Sequence, residues 1–283
     1  MKESGKSINL LFKLEIYYIN NCAEDYGGAI YAEKVTLTNN PSYFIGNIAE
    51  DNQGGAIYTD KITNAVVYNA VFINNKAKAN DDGGAIYINK ENHITFSNCV
   101  FVNNSCGDEG GAIYLDSKSS TISLRNNIFS NNHAGDEGQA VFNKGRYGTI
   151  NNNFWSDVIP STSNDLLVEW KATIFRSNVH HIDTDPLHIE LRLSKNNTDL
   201  NKVVRATLCY IKSDGSILPD GPNGNVSFIV PENINIKSQG ITQNGTYIDF
   251  TSNKTGTFNI TATLYGQSLT EKINFTHVLK EGE

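Results

Sequence analysis

Carboxylate side chains recur beside a repeated glycine phrase in the first half of the chain. One acid or amide stands two residues before each copy of the phrase: Asp25, Asn52, Asp81, Asp108 and Asp136. Further acids adjoin them at Glu24, Asp82, Glu109 and Glu137. Carboxylates held close together repel each other, and Ca²⁺ prefers oxygen ligands of this kind. The pattern leaves two interpretations. One is a Ca²⁺ site built from Asp25, Asp81, Asp108 and Asp136; the other, which we favour, is solvated turn residues with no bound metal or cofactor.

Enzymatic cleavage of a polysaccharide would need a different arrangement of acids. Such chemistry depends on carboxylates gathered at one place, often with a basic residue beside them. Here the acids recur with the repeat, and Arg125 and Arg146 are the only arginines within it. The sequence therefore predicts no catalytic residues, with a polysaccharide lyase or hydrolase as the alternative.

Histidine and cysteine patterns indicate no zinc site. His180 and His181 are adjacent, so on a strand they point to opposite faces, and no cysteine or third histidine lies at ligand spacing. The four cysteines are Cys22, Cys99, Cys106 and Cys209. They show neither paired spacing nor a CxxC motif. Cys99 and Cys106 could meet around one turn, but we expect free buried thiols.

Asn-X-Ser/Thr sequons are dense in the second half of the chain. Six are candidate glycosylation sites: Asn196, Asn225, Asn244, Asn253, Asn259 and Asn274. Several would arise by chance in a chain this rich in asparagine and threonine, but their density favours an exported, glycosylated protein. The formal charge of −7 argues against a nucleic-acid partner, because such a groove needs a basic face. The sequence contains no run of about 18 apolar residues, so it predicts no membrane-spanning helix.

The glycine phrase marks an internal repeat. Its four Gly-Gly-Ala-Ile copies begin at Gly27, Gly54, Gly83 and Gly110, and a degenerate copy, Gly-Gln-Ala-Val, begins at Gly138. Successive copies start 27 to 29 residues apart, which is typical of a solenoid. The segments between them are short, alternating and rich in β-branched residues, which indicates strands. Each repeat therefore predicts one rung of a right-handed parallel β-helix, about 4.8 Å from the next.

Further residues recur in step with the glycines. An aromatic residue is followed three positions later by asparagine at Tyr18/Asn21, Phe44/Asn47, Phe72/Asn75, Phe101/Asn104 and Phe129/Asn132. The isoleucines of the phrase are Ile30, Ile57, Ile86 and Ile113, continued by Val141. Rungs in register place like residues above one another, so we predict an aromatic column, an isoleucine column and a hydrogen-bonded asparagine ladder. The aromatic column could instead be an exposed binding platform, but its phase follows the apolar period and we favour core.

Glycine and asparagine also indicate the turns. The glycine pair suits a turn that needs positive φ or a close approach of rungs. A further asparagine stands three residues before the aromatic at Asn69, Asn98, Asn126 and, before Phe154, at Asn151. We interpret these asparagines as ordinary turn residues.

The repeat ends near residues 151–155, and the pattern changes from Pro186 onward. Predicted strands then cover residues 187–193, 203–211, 225–230, 246–250, 256–264 and 268–275. Strands of this number and spacing are typical of an immunoglobulin-like β-sandwich. The prediction is an all-β chain in three parts. Residues 1–163 form a right-handed parallel β-helix, residues 164–185 a cap and linker, and residues 186–283 an Ig-like β-sandwich.

The pairing of Gly-Gly-Ala-Ile with Phe-x-x-Asn over residues 18–155 resembles the polymorphic outer-membrane protein repeat. With Asn-Asn-Asn-Phe-Trp at residues 151–155 and a following Ig-like domain, the arrangement resembles the adhesin-like surface proteins of methanogenic archaea. The resemblance implies export, a cell-surface location, and adhesion or a cell-envelope function. The degenerate copy at Gly138 departs from the family pattern.

The predicted function is that of an extracellular, non-catalytic, adhesin-like protein. Its partners would be a host or microbial cell surface or envelope glycans. Loops of variable length, at residues 77–82 and 116–120, are the predicted contact sites, because loops on a rigid scaffold carry recognition. The alternatives are a structural cell-envelope component without a specific ligand and a β-helix polysaccharide lyase or hydrolase.

Overall fold

The computed structural model describes residues 15–37, 41–62, 66–78, 80–91, 93–118, 121–156, 175–176, 185–222 and 224–277. Within these ranges all regular elements are strands, so the predicted all-β class is confirmed. The described residues include no helix with the length and hydrophobicity needed to cross a membrane.

Strands of the first half are short. In chain order they are β1 (Ile16–Ile19), β2 (Cys22–Ala23), β3 (Ile30–Val35), β4 (Ser42–Ile45), β5 (Ile48–Ala49), β6 (Ile57–Ile62), β7 (Val66–Tyr68), β8 (Ala70–Ile73), β9 (Lys76–Ala77), β10 (Ile86–Ile88), β11 (His93–Ser97), β12 (Val100–Val102), β13 (Ile113–Leu115), β14 (Thr121–Arg125), β15 (Ile128–Ser130), β16 (Val141–Asn143), β17 (Arg146–Asn151), β18 (Phe154–Trp155) and β19 (Phe175–Arg176). They align into parallel sheets, which we name for their columns. The aromatic sheet has the order β1-β4-β8-β12-β15-β18 and the isoleucine sheet β19-β16-β13-β10-β6-β3. The third sheet is β17-β14-β11-β7, and the short sheet is β2-β5-β9. This arrangement is a parallel β-solenoid, as the repeat predicts.

Apolar columns fill the interior of the solenoid. Phe72 lies opposite Phe44 and Phe101, with parallel rings 4.8 and 5.0 Å apart between centroids. Ile86 lies opposite both Ile57 and Ile113 in the isoleucine sheet. All six side chains are fully buried. The aromatic column is therefore core and offers no exposed ring face to a ligand.

A ladder of asparagine amides runs beside the aromatic column. The Nδ2 of Asn47 donates to Oδ1 of Asn75 at 2.9 Å, and Asn75 repeats this contact to Asn104. The backbone N–H of each residue donates to the same oxygen, at 3.0 and 3.1 Å. Asn104 continues the ladder to Asn132 at 3.0 Å, and Asn21 begins it with a 2.8 Å bond to Asn47. Each amide thus joins neighbouring rungs in the interior, where no water competes.

The two glycines of the phrase serve different purposes. Gly83 has a φ of +68°, a conformation that suits glycine. Gly84 has no such φ, but a Cβ there would lie 2.6 Å from the backbone of Ser105 and would collide with the carbonyl oxygen of Gly111. The first glycine therefore makes the turn, and the second allows the rungs to approach.

Gln139 takes the place of the second glycine in the last copy, and its side chain has a structural role there. In preceding rungs the N–H groups of Ala77 and Cys106 donate to the carbonyl of the next rung, at 3.1 and 3.0 Å. The equivalent N–H of Ala134 donates instead to Oε1 of Gln139, at 3.1 Å, and Nε2 of Gln139 donates back to the Ala134 carbonyl at 2.9 Å. The glutamine amide therefore replaces the backbone of a further rung.

The repeat phase predicted for residues 151–155 is wrong by one residue. Trp155, and not Phe154, stacks on Phe129, with ring centroids 4.5 Å apart. The left-handed turn residue before it is Asn152, at a φ of 55°, instead of Asn151. The cause is a bulge in β17, which contains one residue more than the matching part of β14.

Strands of the second half are longer. They are β20 (His188–Leu193), β21 (Asn197–Asp199), β22 (Val204–Ile211), β23 (Val226–Ile229), β24 (Ile234–Thr242), β25 (Gly245–Ser252), β26 (Gly256–Leu264) and β27 (Gln267–Thr276). They form one four-stranded sheet in the order β20-β22-β25-β24 and another in the order β21-β27-β26-β23. Apart from the parallel pair β21–β27, all pairs are antiparallel. These orders are those of an immunoglobulin-type sandwich.

Strands β21 and β24 were not predicted. Both lie at sheet edges, and β24 exposes most of its side chains because it carries polar residues on both faces. Its apolar and polar residues alternate only over Ile234–Lys237 before a polar run begins at Ser238, which gives a weak local signal. It forms through a hairpin with β25, closed by the pairing of Thr242 with Gly245.

The sandwich packs against the outer face of the aromatic sheet. Val100, Val102 and Ile128 point away from the solenoid interior and belong to the hydrophobic core of the sandwich side, together with Tyr210 and Leu264. The first described residues of the sandwich side lie next to the last rung of the solenoid. The isolated bridge between Phe154 and Leu187 marks the crossing. Strand β19, which lies in the predicted cap segment, pairs with β16 and becomes an edge strand of the isoleucine sheet.

Candidate functional site

The predicted acidic turn residues form one column along the solenoid. We call this column, together with the adjoining Asp82 and Glu109, the acid column. Backbone bonds connect it, since the Asp108 N–H donates to the Asp81 carbonyl at 3.1 Å and the Asp136 N–H to the Asp108 carbonyl at 2.9 Å. Near its other end, Nδ2 of Asn52 donates to Oδ1 of Asp25 at 3.4 Å. Asp25 and Asp136 are exposed, whereas Asp81 and Asp108 are half-buried. The structure therefore brings these side chains onto adjacent rungs of one face.

Two carboxyl groups at the centre of the acid column, those of Asp82 and Glu109, have raised pKa values. Burial raises the pKa of Asp82 to about 6, and the nearby charge of Asp108 adds to the effect. Burial also raises the pKa of Glu109 to about 7, helped by Asp82, Asp108 and Glu137. The N–H of Glu109 donates to Oδ1 of Asp82 at 3.1 Å, which ties the two residues together. Burial, reinforced by like charges on neighbouring rungs, thus brings the pKa values of these two carboxyl groups close to neutral pH.

Metal binding requires a tighter grouping than the acid column provides. In the ranges that the structure describes, no three His, Cys, Asp or Glu side chains converge on a possible metal ion. Ca²⁺ takes about six to eight oxygen ligands. Ca²⁺ binding by Asp25, Asp81, Asp108 and Asp136 stays a prediction that this structure does not test. His180 and His181 lie outside the described residues.

A pH dependence of stability follows from the raised pKa values. Asp82 and Glu109 hold protons more tightly in the folded state than their ordinary pKa values of 3.8 and 4.5 allow in the unfolded chain. Their contribution to stability is fully present below those ordinary values and is lost as pH rises through about 6 and about 7. We expect Glu109→Gln to leave the urea midpoint unchanged near about pH 4 and to raise it above wild type near about pH 8. Glu109→Asp, which keeps the charge, should retain the wild-type slope, and equal profiles for all three proteins would contradict the assignment.

An external tyrosine column was missed by the sequence reasoning. The residue after each copy of the glycine phrase is aromatic: Tyr31, Tyr58, Tyr87, Tyr114 and Phe142. The rings from Tyr58 onward stack 4.9 to 5.1 Å apart on the outside of the isoleucine sheet. Tyr114 is 2% exposed, whereas Tyr31 at the end of the column is 66% exposed. The constant position after isoleucine was the available signal, since alternate residues of a strand face opposite sides.

Ion pairs flank the tyrosine column. Lys90 contacts Asp60 at 2.7 Å, and Lys144 contacts Asp116 at 2.5 Å and lies 5.3 Å from the ring centre of Tyr114. These partners come from successive rungs. The salt bridges therefore stabilise the stacking of rungs on this face and are not a convergent catalytic group.

One of the two predicted contact loops, at residues 77–82, is shorter than expected. Ala77 belongs to β9, and its side chain is buried with Cys106 and Ala134, so it is not a loop residue. In the described remainder of the two loops, Asn80 and Lys118 are exposed, while Asp116 is half-buried. Residues 79 and 119–120 lie outside the described residues.

Comparison with known proteins settles the family. The family model for the right-handed β-helix region matches residues 7–155, more than half of the 283 residues. The chain belongs to the right-handed β-helix family. This match agrees with the parallel sheets and stacked columns described above and confirms the predicted right-handed β-helix. No curated protein gives a significant match.

Among solved structures, this β-helix protein is similar to domains 4 and 5 of the S-layer protein SbsC. The identity is 12% and the TM-score 0.25. The match covers 37% of the β-helix protein and 57% of the other chain, less than two thirds of its length. A likeness at this level carries no argument about fold or function.

The candidate glycosylation sites of the β-helix protein lie on the surface of its sandwich. Asn196, Asn225, Asn244, Asn253 and Asn259 are exposed, and Asn274 is half-buried. Asn259 lies in the middle of β26, on the face that points away from the sandwich core. A glycan at any of the five exposed positions would extend into solvent.

The thiols of the β-helix protein are free. Cys99, Cys106 and Cys209 are buried, and Cys22 is exposed. Burial raises the pKa of Cys99 and of Cys106 to about 12. Both remain protonated near neutral pH and are poor nucleophiles.

Proposed function

We propose that this β-helix protein is a non-catalytic, adhesin-like protein of the cell surface that contacts another cell or envelope glycans. The family accounts for the rigid rod. The resemblance of the repeat to adhesin-like surface proteins of methanogenic archaea supports the class of function. The exposed sequons of the sandwich support an extracellular location.

The observation that carries the proposal is the continuous asparagine ladder inside the solenoid. Its amide bonds connect Asn47, Asn75, Asn104 and Asn132 at 2.9 to 3.0 Å, all within the buried interior. A stack bonded at every rung holds its surface loops at fixed separations. Fixed separations favour several weak contacts at once, because the second contact is then intramolecular.

The distribution of acidic, aromatic and ion-paired side chains along the rungs supports a binding surface more than an active site. The acid column, the tyrosine column and the flanking ion pairs each contribute about one residue per rung. Hydrolysis of a polysaccharide would instead need two carboxylates at one controlled separation, and lyase chemistry would need a basic residue beside a local cluster of carboxylates. Incubation with polyuronides, followed by assays of reducing ends and unsaturated products, tests the enzyme alternative, and turnover would contradict the proposal.

A binding experiment tests the adhesin function. The intact chain is immobilised on beads and incubated with microbial cells and with envelope polysaccharide, and the bound material is measured. We expect binding to fall when residues 80–81 and 117–118 are replaced by Gly-Ser of equal length. The control replaces the exposed turn at residues 253–255 of the sandwich, which lies in the other domain.

The outcomes separate the candidate functions. Loss of binding in the loop variant alone, with unfolding midpoints equal to wild type, supports contact through these loops. Unchanged binding in the loop variant shows that the contact lies elsewhere on the surface. Absence of binding by the wild-type chain to every cell and polysaccharide would favour the structural envelope component and contradict adhesion.

A further inference from the structure

A groove separates the solenoid from the sandwich beside their hydrophobic interface. Its volume is about 510 Å³, within the range of about 300–1,000 Å³ typical of small-molecule sites. Tyr68, Asn69 and Asn98 line it from the solenoid, and Asp220 and Gln243 from the sandwich. Tyr210, which is 5% exposed, also contributes to the lining. Two rigidly packed domains thus form a preformed cleft.

The solenoid wall of the groove is a corner at which asparagines of successive rungs adopt a left-handed backbone conformation. Asn69, Asn98 and Asn126 occupy equivalent positions in successive rungs, with φ values of 55°, 54° and 55°. Glycine would satisfy this conformation equally well, so backbone geometry alone does not require an amide side chain. Asn69 and Asn98 line the groove, whereas Asn126 does not. Further along, the N–H of Asn152 donates to the Asp185 carbonyl at 2.9 Å, where the chain that leads into the sandwich covers the corner.

Hydrogen bonds orient the groups on both walls. Nδ2 of Asn98 donates to the Tyr68 hydroxyl at 3.0 Å, while Oδ1 of Asn98 is buried without a hydrogen-bond partner among the described residues. Tyr68 keeps 36% of its surface exposed. On the opposite wall, the N–H of Asp220 donates to the Gln243 carbonyl at 2.7 Å, and both side chains remain exposed. One wall therefore presents an aromatic ring and an amide held by a hydrogen bond, and the other presents the exposed side chains of Asp220 and Gln243 from a hydrogen-bonded backbone.

The chemistry of the lining selects a class of ligand. Asp220 is the only charged side chain among the described lining residues, and the chain has a net charge of −7, so anionic ligands are disfavoured. Amides both donate and accept hydrogen bonds, which matches the hydroxyl groups of a polyol. The tyrosine ring offers apolar surface for the C–H faces of such a ligand.

We propose that this groove binds a neutral oligosaccharide, with Tyr68 packing against a sugar ring and Asn69, Asn98, Asp220 and Gln243 bonding its hydroxyl groups. The inference deepens the proposed function by naming a site and a ligand class, and it rests on that function for the glycan partner. It adds a saccharide site at the junction of the two domains to the contact loops on the solenoid surface.

Binding of defined saccharides tests the site. The intact chain is titrated calorimetrically with cellotriose, maltotriose, mannotriose and N,N′,N″-triacetylchitotriose, with trigalacturonate as the acidic counterpart. Saturation-transfer NMR identifies weak binders in the same set. We expect at least one neutral trisaccharide to bind and trigalacturonate to bind more weakly or not at all.

Matched variants locate the binding. Asn98→Gly keeps the left-handed backbone and removes the amide from the groove, and Asn126→Gly makes the same change one rung away, outside it. We expect Asn98→Gly and Tyr68→Ala each to weaken binding about tenfold, since each removes a direct contact. Asn126→Gly should bind like wild type. All variants should unfold at the wild-type denaturant concentration within error, which excludes loss of fold as the cause.

The failures of the two proposals are distinguishable. If neutral trisaccharides bind with equal affinity to Asn98→Gly, Tyr68→Ala and wild type, the groove is not the site, although the glycan-binding function stands. If none of the neutral trisaccharides binds, or trigalacturonate binds best, the groove assignment is overturned. The cell-binding experiment on the loop variants then decides the proposed function separately.

Discussion

Replacing Gly84 with alanine is expected to prevent the rungs of the β-helix from stacking at this turn. The added Cβ would lie 2.6 Å from the backbone of Ser105 and would collide with the carbonyl oxygen of Gly111. Both obstacles are backbone atoms of packed strands, which cannot move aside as a side chain would. We expect the free energy of unfolding to fall by about 4 kcal/mol or more, measured by urea denaturation. Failure to obtain soluble protein would report the same effect.

The last copy of the repeat supplies the control for this variant. Gln139→Gly restores the glycine of the repeat pattern but removes the bonds that the glutamine amide makes with Ala134. We therefore expect it to destabilise the chain by about 1–3 kcal/mol instead of stabilising it. A wild-type urea midpoint for Gly84→Ala would contradict the close approach of the rungs described here.

Removal of one ladder asparagine is expected to have the second largest effect. The amide of Asn75 accepts bonds from the N–H and Nδ2 of Asn47 and donates to the Phe44 carbonyl and to Oδ1 of Asn104. Asn75→Ala removes these four bonds in a fully buried place, although Nδ2 of Asn47 keeps its bond to the Tyr18 carbonyl and Oδ1 of Asn104 keeps its bond from the backbone N–H of residue 75. Each buried polar group without a partner costs about 1–3 kcal/mol. We expect a total loss of about 3 kcal/mol in the free energy of unfolding, measured by urea denaturation.

The neighbouring residue gives a matched control. Asn74 is exposed and adopts a φ of 56°, which glycine accepts, so Asn74→Gly removes an amide without leaving a buried group unpaired. We expect its urea midpoint to stay close to wild type. Equal effects for Asn74→Gly and Asn75→Ala would show that the ladder bonds contribute nothing beyond ordinary turn chemistry.

The sequence alone predicted the β-helix because its constraints recur at fixed intervals. A stacked rung needs glycine where backbones meet, a buried branched or aromatic residue at each inward position, and an amide where the interior backbone is unpaired. These requirements repeat once per rung, so they can be recognised as a periodic pattern in the amino-acid sequence. The acid column was equally visible, whereas the raised pKa values of Asp82 and Glu109 depend on burial that spacing alone does not reveal.

Two errors arose where local patterns were ambiguous. A one-residue bulge in β17 moved the end of the repeat, so that Trp155 and not Phe154 continues the aromatic column. The polar edge strand β24 alternates over its first four residues only, which is too short a pattern to mark the whole strand. In both places the final arrangement depends on pairing with a neighbouring strand, which a pattern within one segment does not record.

What the sequence determined by itself is the rung, its inward columns and the all-β class. What the tertiary structure decided is the use of the outward faces. Strand β12 is apolar on both faces, with Phe101 inward and Val100 and Val102 outward. This composition shows that both faces are buried, but not what covers the outer one. Packing against the sandwich brings together residues that are distant in the sequence, and the groove beside that interface exists only once the two surfaces meet.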